Sequence, residues 1–260
     1  MNYVLAILAG AVQGLTEFLP VSSTGHLIIF EHIFNISQKE FGLAFDASLH
    51  LGTLFAVLIF FFKDYLSVFN FKNNLFIKLV IGTIPAAILG LIFENLIENQ
   101  FRSLTLIAYS LILFSFVIIA AEIYAKRQKQ QKAISKRDSF VVGLAQSLAL
   151  VPGVSRSGAT ISAGLFLGQT RASAARFAFL LSGPIIAGAG SKKFLDVALR
   201  ENLTSADLQF FIVGIVSSAI FGYLTIKYFL KYLQKNTLYP FIIYRVILGA
   251  LLILLPLFTR

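Results

Sequence analysis

Two segments of this chain carry the same motif, and in both the motif interrupts an apolar stretch with proline, glycine and hydroxyl residues. Residues 10–28 read GAVQGLTEFLPVSSTGHLI and residues 143–161 read GLAQSLALVPGVSRSGATI, so seven positions are identical at a constant offset of 133 residues. The positions that differ include those able to carry charge, which are Glu17 and His26 in the first copy and Arg156 in the second. A duplicated frame with complementary charges predicts one site built between two halves of the molecule.

The composition is that of an integral membrane protein. The 260 residues are 57% hydrophobic and 13% charged, with a mean hydropathy of +0.82, which is too apolar for a water-soluble domain of this length. Six further apolar stretches are long enough to cross a bilayer as helices, which takes about 20 residues. They cover approximately residues 43–62, 75–93, 103–125, 173–190, 208–230 and 239–258.

The net charge of +10 does not indicate nucleic-acid binding. The basic residues lie mostly in short loops between the apolar stretches, as the positive-inside rule for membrane proteins predicts. The chain has no cysteine, so it forms no disulfide and thiol usage says nothing about its compartment. The N-terminal segment lacks a basic region and soon reaches Gln13 and Glu17, so we do not expect it to be a cleavable signal peptide.

The two motif segments, at about residues 3–35 and 139–168, differ from the six spans. In each, an apolar arm of about a dozen residues is followed by the break and a second short arm, and neither arm is long enough to cross the membrane. This pattern predicts two re-entrant helical hairpins. Because a broken backbone at membrane depth needs protein or a watery cavity to satisfy its polar groups, the hairpins should face each other inside the helix bundle.

The repeat extends beyond the hairpins, since residues 82–90 (GTIPAAILG) match residues 214–222 (GIVSSAIFG) at an offset of 132. Each half is then one hairpin followed by three transmembrane helices, and because three is odd the second half enters the membrane from the opposite side. The predicted fold is an all-α polytopic membrane protein with an inverted repeat. The single integral membrane domain, residues 1–260, contains repeats at about 1–125 and 139–260 joined by a basic linker at 126–138.

Charge asymmetry predicts the orientation in the membrane. If the linker is cytoplasmic, the loops on its side hold 14 Lys and Arg residues, and the segments on the other side hold six. The inner loops are residues 63–78, 126–138, 169–176 and 227–238, and the outer basic residues are Lys39, Arg102, Lys192, Lys193, Arg200 and Arg260. Both chain termini then lie on the outer face.

The break of the second motif has the residues of an anion site. Pro152 and Gly153 end the first arm, because proline lacks an N–H group and glycine permits a turn. The N-terminus of the next arm presents free N–H groups and a partial positive charge, and the guanidinium of Arg156 suits phosphate oxygens. A long arginine can instead snorkel to the interface, but burying it in the membrane costs about 2.5–3.5 kcal/mol, which favours a function. The predicted oxyanion cradle, in which Ser155 or Ser157 also caps the helix, is Ser155, Arg156, Ser157 and Thr160.

The break of the first motif supplies the complementary groups. Glu17 lies one helical turn after Gln13, so both project from one face, where they could hold a divalent cation, order a water or orient His26. Oxygen ligands suit Mg²⁺ or Ca²⁺, with a substrate phosphate completing the coordination shell. A lone histidine is usually structural, but His26 follows the serine-rich break and can exchange a proton near neutral pH, so we predict a catalytic role. The candidates for capping the arm after Pro20 are Ser22, Ser23 and Thr24.

Other polar residues give weaker signals. His32 and His50 are weaker catalytic candidates than the motif histidine. Asp46 and His50 share a helix face, where they either line the cavity or pair with each other. Glu122 and Arg245 lie near the ends of spans and are expected at membrane interfaces or in structural pairs. The sequence has no P-loop, no GxSxG, no HExxH and no Cys/His metal cluster, so no soluble-enzyme motif competes.

The two motifs also carry a family resemblance. QGLTEFLPVSSTGH at 13–26 and PGVSRSGATI at 152–161 resemble the signature segments of the undecaprenyl-diphosphate phosphatase family, also called bacitracin resistance proteins, and the span order agrees over the whole chain. The resemblance implies a bacterial plasma-membrane enzyme that hydrolyses undecaprenyl diphosphate to undecaprenyl phosphate and phosphate. Such an enzyme recycles the lipid carrier for peptidoglycan synthesis and gives bacitracin resistance. The resemblance also implies a divalent-cation requirement and an active site open to the outer face.

Residue roles follow from the matched motifs. Glu17 matches the second acidic residue of the family's E/Q-x-x-x-E element, with Gln13 at the first position, so Glu17 is the implied metal ligand. The implied catalytic residues are Glu17, Ser23, His26 and Arg156. The implied substrate-binding residues are Gln13, Ser22, Thr24, Ser155, Ser157 and Thr160. The attacking group stays open between Ser23, His26 and water, and the oligomeric state, including a homodimer, stays open as well.

A transporter is the alternative from another class, because inverted repeats with broken helices also build secondary transporters. A carrier needs an anion cradle but no attacking group, so Glu17 and His26 close to Arg156 would favour an enzyme. A purely structural scaffold would leave the intramembrane charges unexplained.

Overall fold

The computed structural model describes residues 3–34, 36, 43–67, 74–93, 96, 101, 103–127, 133–200 and 205–258. Over this part of the chain the protein is helical, and no strand occurs in it. The helices are α1 (Tyr3–Phe18), α2 (Ser23–Ile33), α3 (Leu43–Phe60), α4 (Phe62–Ser67), α5 (Leu75–Ile92), α6 (Leu104–Arg127), α7 (Lys136–Ser147), α8 (Arg156–Phe166), α9 (Arg171–Arg200), α10 (Ser205–Leu233) and α11 (Tyr239–Phe258). A single 3₁₀ turn, Leu148–Leu150, follows α7.

Within the described residues, four helical segments are long and apolar enough to cross a membrane, so the chain is a multi-pass membrane protein. They coincide with four of the six predicted spans and are Leu75–Ile92, Leu104–Arg127, Arg171–Lys192 and Asp207–Leu233. The other two predicted spans correspond to α3 and α11, whose apolar parts Phe45–Phe60 and Tyr239–Leu254 are shorter. The predicted span 43–62 also runs past the helix end, since α3 stops at Phe60 and α4 starts at Phe62.

Glycines allow the first helix of each motif to pack closely on a partner helix. At Gly10 of α1 an added Cβ atom would collide with the backbone of Gly214 in α10. At Gly143 of α7 it would collide with the backbone of Gly82 in α5. All four glycines are repeat-matched positions, so each motif helix contacts the repeated glycine of the other half of the chain. Side chains as small as hydrogen are what let membrane helices approach this closely.

A buried ion pair holds α6, α9 and the start of α11 together. Glu122 is fully buried and accepts three hydrogen bonds from Arg171, at 2.5 to 3.0 Å. The same carboxylate accepts a hydrogen bond from the backbone N–H of Leu238 at 2.9 Å. The expectation of a structural pair is therefore confirmed for Glu122.

Helix α9 forms one wall of the site described below, and it contains a proline. Pro184 has no N–H group, so the carbonyl of Leu180 one turn earlier loses its helical partner. The hydroxyl of Tyr65 donates a hydrogen bond to that carbonyl at 2.7 Å. The proline is thus accommodated without an unsatisfied backbone group at Leu180.

The second half of the chain begins with a capped helix. Ser135 accepts a hydrogen bond from the Asp138 N–H, and the Asp138 side chain accepts one from the Ser135 N–H. This capping box fixes the start of α7 at the end of the predicted linker. The middle of that linker, residues 128–132, lies outside the described residues, as do Lys39, Arg102 and Arg260.

Candidate active site

A cavity of about 610 Å³ lies where the two motifs meet, a volume typical of a small-molecule site. Residues from α1, α2, α3, α5, α7, α8 and α9 line it, together with residues of the two breaks. Its ionisable lining residues are Glu17, Asp46, His50, Arg156 and Lys192. Its hydroxyl and amide lining residues are Ser22, Ser23, Thr24, Thr83, Gln146 and Ser155. Most of the other lining residues are small and apolar, so the polar groups are concentrated at the motifs.

Both motifs adopt the same local structure after the break. Ser22 and Ser155 are the N-caps of α2 and α8, and each side chain accepts a hydrogen bond from the N–H three residues later, at 3.4 Å from Gly25 and 3.2 Å from Gly158. Both serines have left-handed φ angles, 74° and 78°, which are uncommon for residues other than glycine. The predicted hydroxyl caps are confirmed, and the structure selects Ser22 and Ser155 from the candidates.

The two breaks are hydrogen-bonded to each other. The Ser22 hydroxyl oxygen accepts from the Gly153 N–H at 3.0 Å, and the Ser157 hydroxyl donates to the Leu19 carbonyl at 2.8 Å. Gly153 has a φ of 96°, a conformation that glycine adopts without steric strain. These bonds satisfy backbone groups that the breaks leave without helical partners. They also fix the position of one motif relative to the other.

Arg245 of α11 makes the third connection between the breaks. This fully buried guanidinium donates from Nη1 to the Pro20 carbonyl at 3.1 Å and from Nη2 to the Gly153 carbonyl at 2.9 Å. It also donates to the Leu111 carbonyl at 3.2 Å and to the Ser115 hydroxyl at 3.1 Å. These partners are neutral oxygens in the interior. The expectation that Arg245 lies at an interface or in an ion pair is therefore wrong, because the breaks expose carbonyls that a five-donor fork can bind.

Glu17 and Arg156, one from each motif, form a direct ion pair inside the protein. Arg156 Nη2 donates to Oε1 of Glu17, while Gln13 Nε2 and Ser23 Oγ donate to Oε2 at 2.9 and 2.5 Å. The Glu17 side chain is 3% exposed and the Arg156 side chain 19%. The carboxylate is thus held by the protein, while the guanidinium is accessible from the cavity. Removal of Arg156 would leave the buried carboxylate without its counter-ion, which costs about 3–5 kcal/mol of stability.

Ser23 is the cavity hydroxyl best placed for nucleophilic attack. Its Oγ–H group donates to a carboxylate oxygen that can take the proton as Oγ bonds to an electrophile. Arg156 donates to Glu17 from Nη2. The guanidinium has five N–H donors, so further N–H groups can bind an anion in the cavity. A hydroxyl, a base and a cation in one cavity suit the transfer of a phosphoryl group, which needs charge stabilisation and in-line positioning.

His50, a weaker candidate by sequence, lies beside this group. Its Nε2 atom is 3.8 Å from Oε2 of Glu17, and its Nδ1 atom is 2.8 Å from the Asp46 carbonyl oxygen. A carbonyl can only accept, so Nδ1 carries a hydrogen and Nε2 faces the carboxylate. Both Asp46 and His50 line the cavity, as the first of the two alternatives from the sequence predicts.

The sequence predicts His26 beside Glu17 in one site, but the structure places it elsewhere. Its Nδ1 atom is 2.8 Å from the Ser22 carbonyl oxygen, and its Nε2 atom is 2.7 Å from the Tyr244 hydroxyl. Among the described residues that line the cavity, His26 does not occur. The structure therefore brings Glu17, Ser23 and Arg156 together and places His26 behind the break, against α11.

The donor set does not fit a metal ion held by the protein alone. Both oxygens of Glu17 are already hydrogen-bonded, and one of them binds the positive charge of Arg156. Gln13 presents its amide nitrogen to this carboxylate, and its buried Oε1 has no hydrogen-bond partner among the described residues. In the part of the chain that the structure describes, no three His, Cys, Asp or Glu side chains are grouped for metal binding. A cation here would need most of its ligands from another molecule.

The remaining predicted residues divide into two sets. Three of the predicted substrate-binding residues line the cavity, namely Ser22, Thr24 and Ser155. Three others, Gln13, Ser157 and Thr160, do not line the cavity. They donate hydrogen bonds to the Glu17 carboxylate, the Leu19 carbonyl and the Arg156 carbonyl, respectively.

His32 is exposed at the end of α2. The role of Arg245 between the breaks was not predicted, because one arginine makes no motif, although an arginine within a predicted span is a signal of an internal role.

The chain is similar in sequence to known proteins over nearly its whole length. The model of the family described as bacitracin resistance protein BacA matches residues 6–251. A protein of Thermodesulfovibrio yellowstonii named undecaprenyl-diphosphatase is 45% identical over 98% of both chains. Two more relatives are an undecaprenyl-diphosphatase of Rubrobacter xylanophilus, 40% identical over 95% of both chains, and undecaprenyl-diphosphatase 2 of Stutzerimonas stutzeri, 43% identical over 98% of both. The chain therefore belongs to the bacitracin resistance protein BacA family.

Proposed function

We propose that this protein is a membrane-bound undecaprenyl-diphosphate phosphatase, which hydrolyses undecaprenyl diphosphate to undecaprenyl phosphate and phosphate. The observation that carries the proposal is the contact of the Ser23 hydroxyl and the Arg156 guanidinium with the Glu17 carboxylate at one cavity. The names of relatives that are 40 to 45% identical along nearly the whole chain support the same reaction.

The first step is attack by Ser23 on the terminal phosphorus. As the Oγ–P bond forms, the hydroxyl proton passes to Oε2 of Glu17, and the bond from the terminal phosphorus to the bridging oxygen breaks. Undecaprenyl phosphate leaves with that electron pair. Water then attacks the phosphoserine, phosphate is released, the proton on Glu17 returns to Ser23 Oγ, and the proton lost by water goes to solvent. Water as the direct nucleophile is the alternative within this scheme.

Two features of the motifs stabilise the negative charge of the diphosphate. Arg156 reaches the cavity and offers charge-assisted hydrogen bonds to phosphate oxygens. Ser22 and Ser155, the N-caps of α2 and α8, line the same cavity. The N-termini of helices attract anions. Groups that are fixed before the substrate arrives need little reorganisation in the transition state.

A divalent cation, Mg²⁺ or Ca²⁺, is proposed to arrive with the diphosphate as part of the substrate. Phosphate oxygens would then supply most of its ligands, which agrees with the fully engaged carboxylate of Glu17. Glu17 is the motif carboxylate at this cavity and is the proposed protein contact of the complex.

The proposed architecture is an inverted repeat of residues 1–125 and 139–260. In it α1–α2 and α7–α8 are re-entrant hairpins, each followed by three transmembrane helices. Support comes from the reciprocal contacts of Gly10 with Gly214 and of Gly143 with Gly82, since a twofold exchange of partners is what such a repeat requires. The proposed location is the bacterial plasma membrane, with the basic linker in the cytoplasm and the cavity open to the outer face.

The proposed physiological role follows from the reaction. Release of undecaprenyl phosphate regenerates the carrier that peptidoglycan synthesis consumes. Removal of the diphosphate form also removes the ligand that bacitracin sequesters, so the activity would give bacitracin resistance.

A phosphatase assay on purified protein in detergent tests the proposal. We expect multiple turnovers of phosphate release from undecaprenyl diphosphate with Mg²⁺ or Ca²⁺, and loss of release in Ser23→Ala. Acid quench with a terminally ³²P-labelled substrate should trap label on the wild-type protein and none on Ser23→Ala. Label-free protein that turns over would instead assign the attack to water.

Measurements on the purified protein in sealed vesicles distinguish an enzyme from a carrier. Uptake of the lipid phosphate by sealed vesicles without phosphate release would contradict the phosphatase and favour a transporter. Light scattering of the purified protein decides between a monomer and a homodimer.

A further inference from the structure

Three glycines that line the cavity would accept an added Cβ atom without a clash against the described residues. In the part of the chain that the structure describes, an added Cβ atom at Gly90 of α5 would have one neighbour within 4 Å, a Leu150 methyl carbon at 3.6 Å. Among the described residues, Gly188 of α9 would have no such neighbour, and at Gly190 the nearest atom is 3.6 Å away. None of the three has a positive φ angle. A side chain could therefore be added at each position, and it would project into or beside the cavity.

Neither helix packing nor backbone conformation accounts for these glycines. At Gly82 and Gly143, by contrast, an added Cβ atom would strike the neighbouring helix. Glycine weakens a helix relative to alanine, so a glycine that is needed for neither reason carries an uncompensated loss of helix stability. What Gly90 and Gly188 do provide is the volume that a side chain would fill.

That volume belongs to an apolar extension of the cavity along α5. The lining positions of this helix are Thr83, Ala86, Ala87, Gly90 and Leu91, which follow the spacing of one helix face. They extend about 12 Å along the helix axis, at about 1.5 Å per residue. The last of them, Leu91, is 63% exposed, so the extension ends at the outer surface of the protein. On a membrane helix that surface faces lipid or the interface.

We infer that this apolar arm, defined as Ala86, Ala87, Gly90, Leu91, Leu150 and Gly188, binds the first isoprene units of the lipid substrate. The inference rests on the proposed function, which places the diphosphate at Glu17 and Arg156. The arm is continuous with that polar end, and its apolar walls match a prenyl chain and no other part of the substrate. Gly90 and Gly188 are then specificity-determining residues, because they leave the width that a branched prenyl chain needs.

Filling the arm tests the inference. The variants are Gly90→Ala, Gly90→Val, Gly90→Phe and Gly188→Phe, assayed for kcat/KM on undecaprenyl diphosphate. We expect a decline that follows side-chain volume and reaches at least about tenfold for phenylalanine, since displaced isoprene units lose apolar burial. Inhibition by inorganic pyrophosphate, which probes the polar end alone, should change by less than about twofold.

The matched control is Ile88→Phe on the same helix. Ile88 is 52% exposed and does not occur among the described residues that line the cavity. Its kcat/KM should stay within about twofold of wild type. Gly90→Ala should melt at the wild-type temperature or above it, which confirms that position 90 does not need glycine for folding.

Three results would overturn the inference. The first is an unchanged kcat/KM in both Gly90→Phe and Gly188→Phe. The second is a loss of kcat/KM in the control Ile88→Phe as large as in these variants. The third is a loss of pyrophosphate inhibition that parallels the loss of kcat/KM. If wild-type protein releases no phosphate, the proposed function fails separately. Equilibrium binding of a fluorescent prenyl diphosphate then decides about the arm, with about tenfold weaker binding expected for Gly90→Phe and unchanged binding contradicting it.

Discussion

The Ser22 hydroxyl oxygen lies 3.0 Å from the backbone nitrogen of Gly153, although 131 residues separate the two in the chain. The same oxygen accepts a hydrogen bond from the Gly25 N–H, so one side chain caps α2 and holds the turn of the second motif. Ser155 caps α8 in the same way, but the hydrogen bonds of its hydroxyl to described residues stay within its own motif, at Gly158 and Ser157. The two caps therefore differ in whether they join the halves of the site.

Substitution of the two caps separates helix capping from this link. Ser155→Ala loses a cap, which costs about 1 kcal/mol of folding stability. Ser22→Ala loses a cap and leaves the buried Gly153 N–H without a partner, for a total of about 2–4 kcal/mol. We expect thermal unfolding to show the larger loss for Ser22→Ala, together with about a tenfold lower kcat. Equal effects of the two substitutions would contradict a role for the link.

The Glu17–Arg156 pair predicts a loss of activity that stability does not explain. Glu17→Gln and Arg156→Gln should each reduce phosphate release on the order of 1,000-fold, because each removes a group that stabilises the transition state. Arg156→Gln should also lose about 3–5 kcal/mol of stability, because the buried Glu17 carboxylate stays unpaired. Glu17→Gln should lose less, because the guanidinium that it leaves is accessible from the cavity. The double variant should regain part of this stability and stay inactive. Activity of the purified variants and their melting in detergent measure both effects.

A second buried pair supplies the control for this prediction. Glu122 and Arg171 have the same chemistry but lie outside the described lining of the cavity. Glu122→Gln should lower the melting temperature, while kcat of the folded protein stays within about threefold of wild type. A collapse of kcat in this variant would mean that general destabilisation, and not loss of the Glu17–Arg156 pair, inactivates the enzyme.

Much of the site could be predicted from the sequence, because the motifs are local. Proline, glycine and serine at fixed spacings determine where α1 ends and where α2 and α8 begin, and these properties depend on neighbours in the chain. The duplication also predicted that one charge from each motif would meet, as Glu17 and Arg156 do. The position of His26 was harder to predict, because a one-residue difference in position around a helix turns a side chain by about 100°.

Residues outside the motifs could be placed only by the packing of helices. His50 and Arg245 lie in α3 and α11, and no spacing in the sequence relates them to Glu17 or Gly153. Their contacts depend on how helices far apart in the chain pack side by side. The open space at Gly90 has the same origin, since a glycine that packs closely and a glycine that borders a cavity look alike in a sequence.

Arg245 should act as a positioning residue for both breaks. Arg245→Lys keeps the charge but cannot donate to the Pro20 and Gly153 carbonyls in the geometry of a planar fork. We expect kcat to fall on the order of 100-fold with a change in KM of less than about threefold. Buried carbonyls left unsatisfied should lower stability by about 1–3 kcal/mol each. If Arg245→Lys lowers the melting temperature but keeps kcat within about threefold of wild type, as expected for Glu122→Gln, Arg245 supports only the fold.

His26 and Tyr244 should behave as one unit if His26 positions the break. His26→Gln and Tyr244→Phe each remove the 2.7 Å contact between the Nε2 atom and the hydroxyl. We expect each to lower kcat by about three- to thirtyfold and the double variant to be no worse than the poorer single one, since coupled residues are not additive. A loss of more than about 100-fold for His26→Gln with wild-type activity in Tyr244→Phe would instead assign proton transfer to His26.

The absence of cysteine from the sequence makes single-cysteine labelling a clean test of orientation. Arg127→Cys introduces a thiol at the end of α6 beside the basic linker, and Lys192→Cys introduces one where α9 lines the cavity. With a cytoplasmic linker and an outward-facing cavity, a membrane-impermeant maleimide added to intact cells should label position 192 and not position 127. Permeabilised cells should label both. Labelling of position 127 alone in intact cells would invert the orientation, and with it the side of the membrane from which the diphosphate enters.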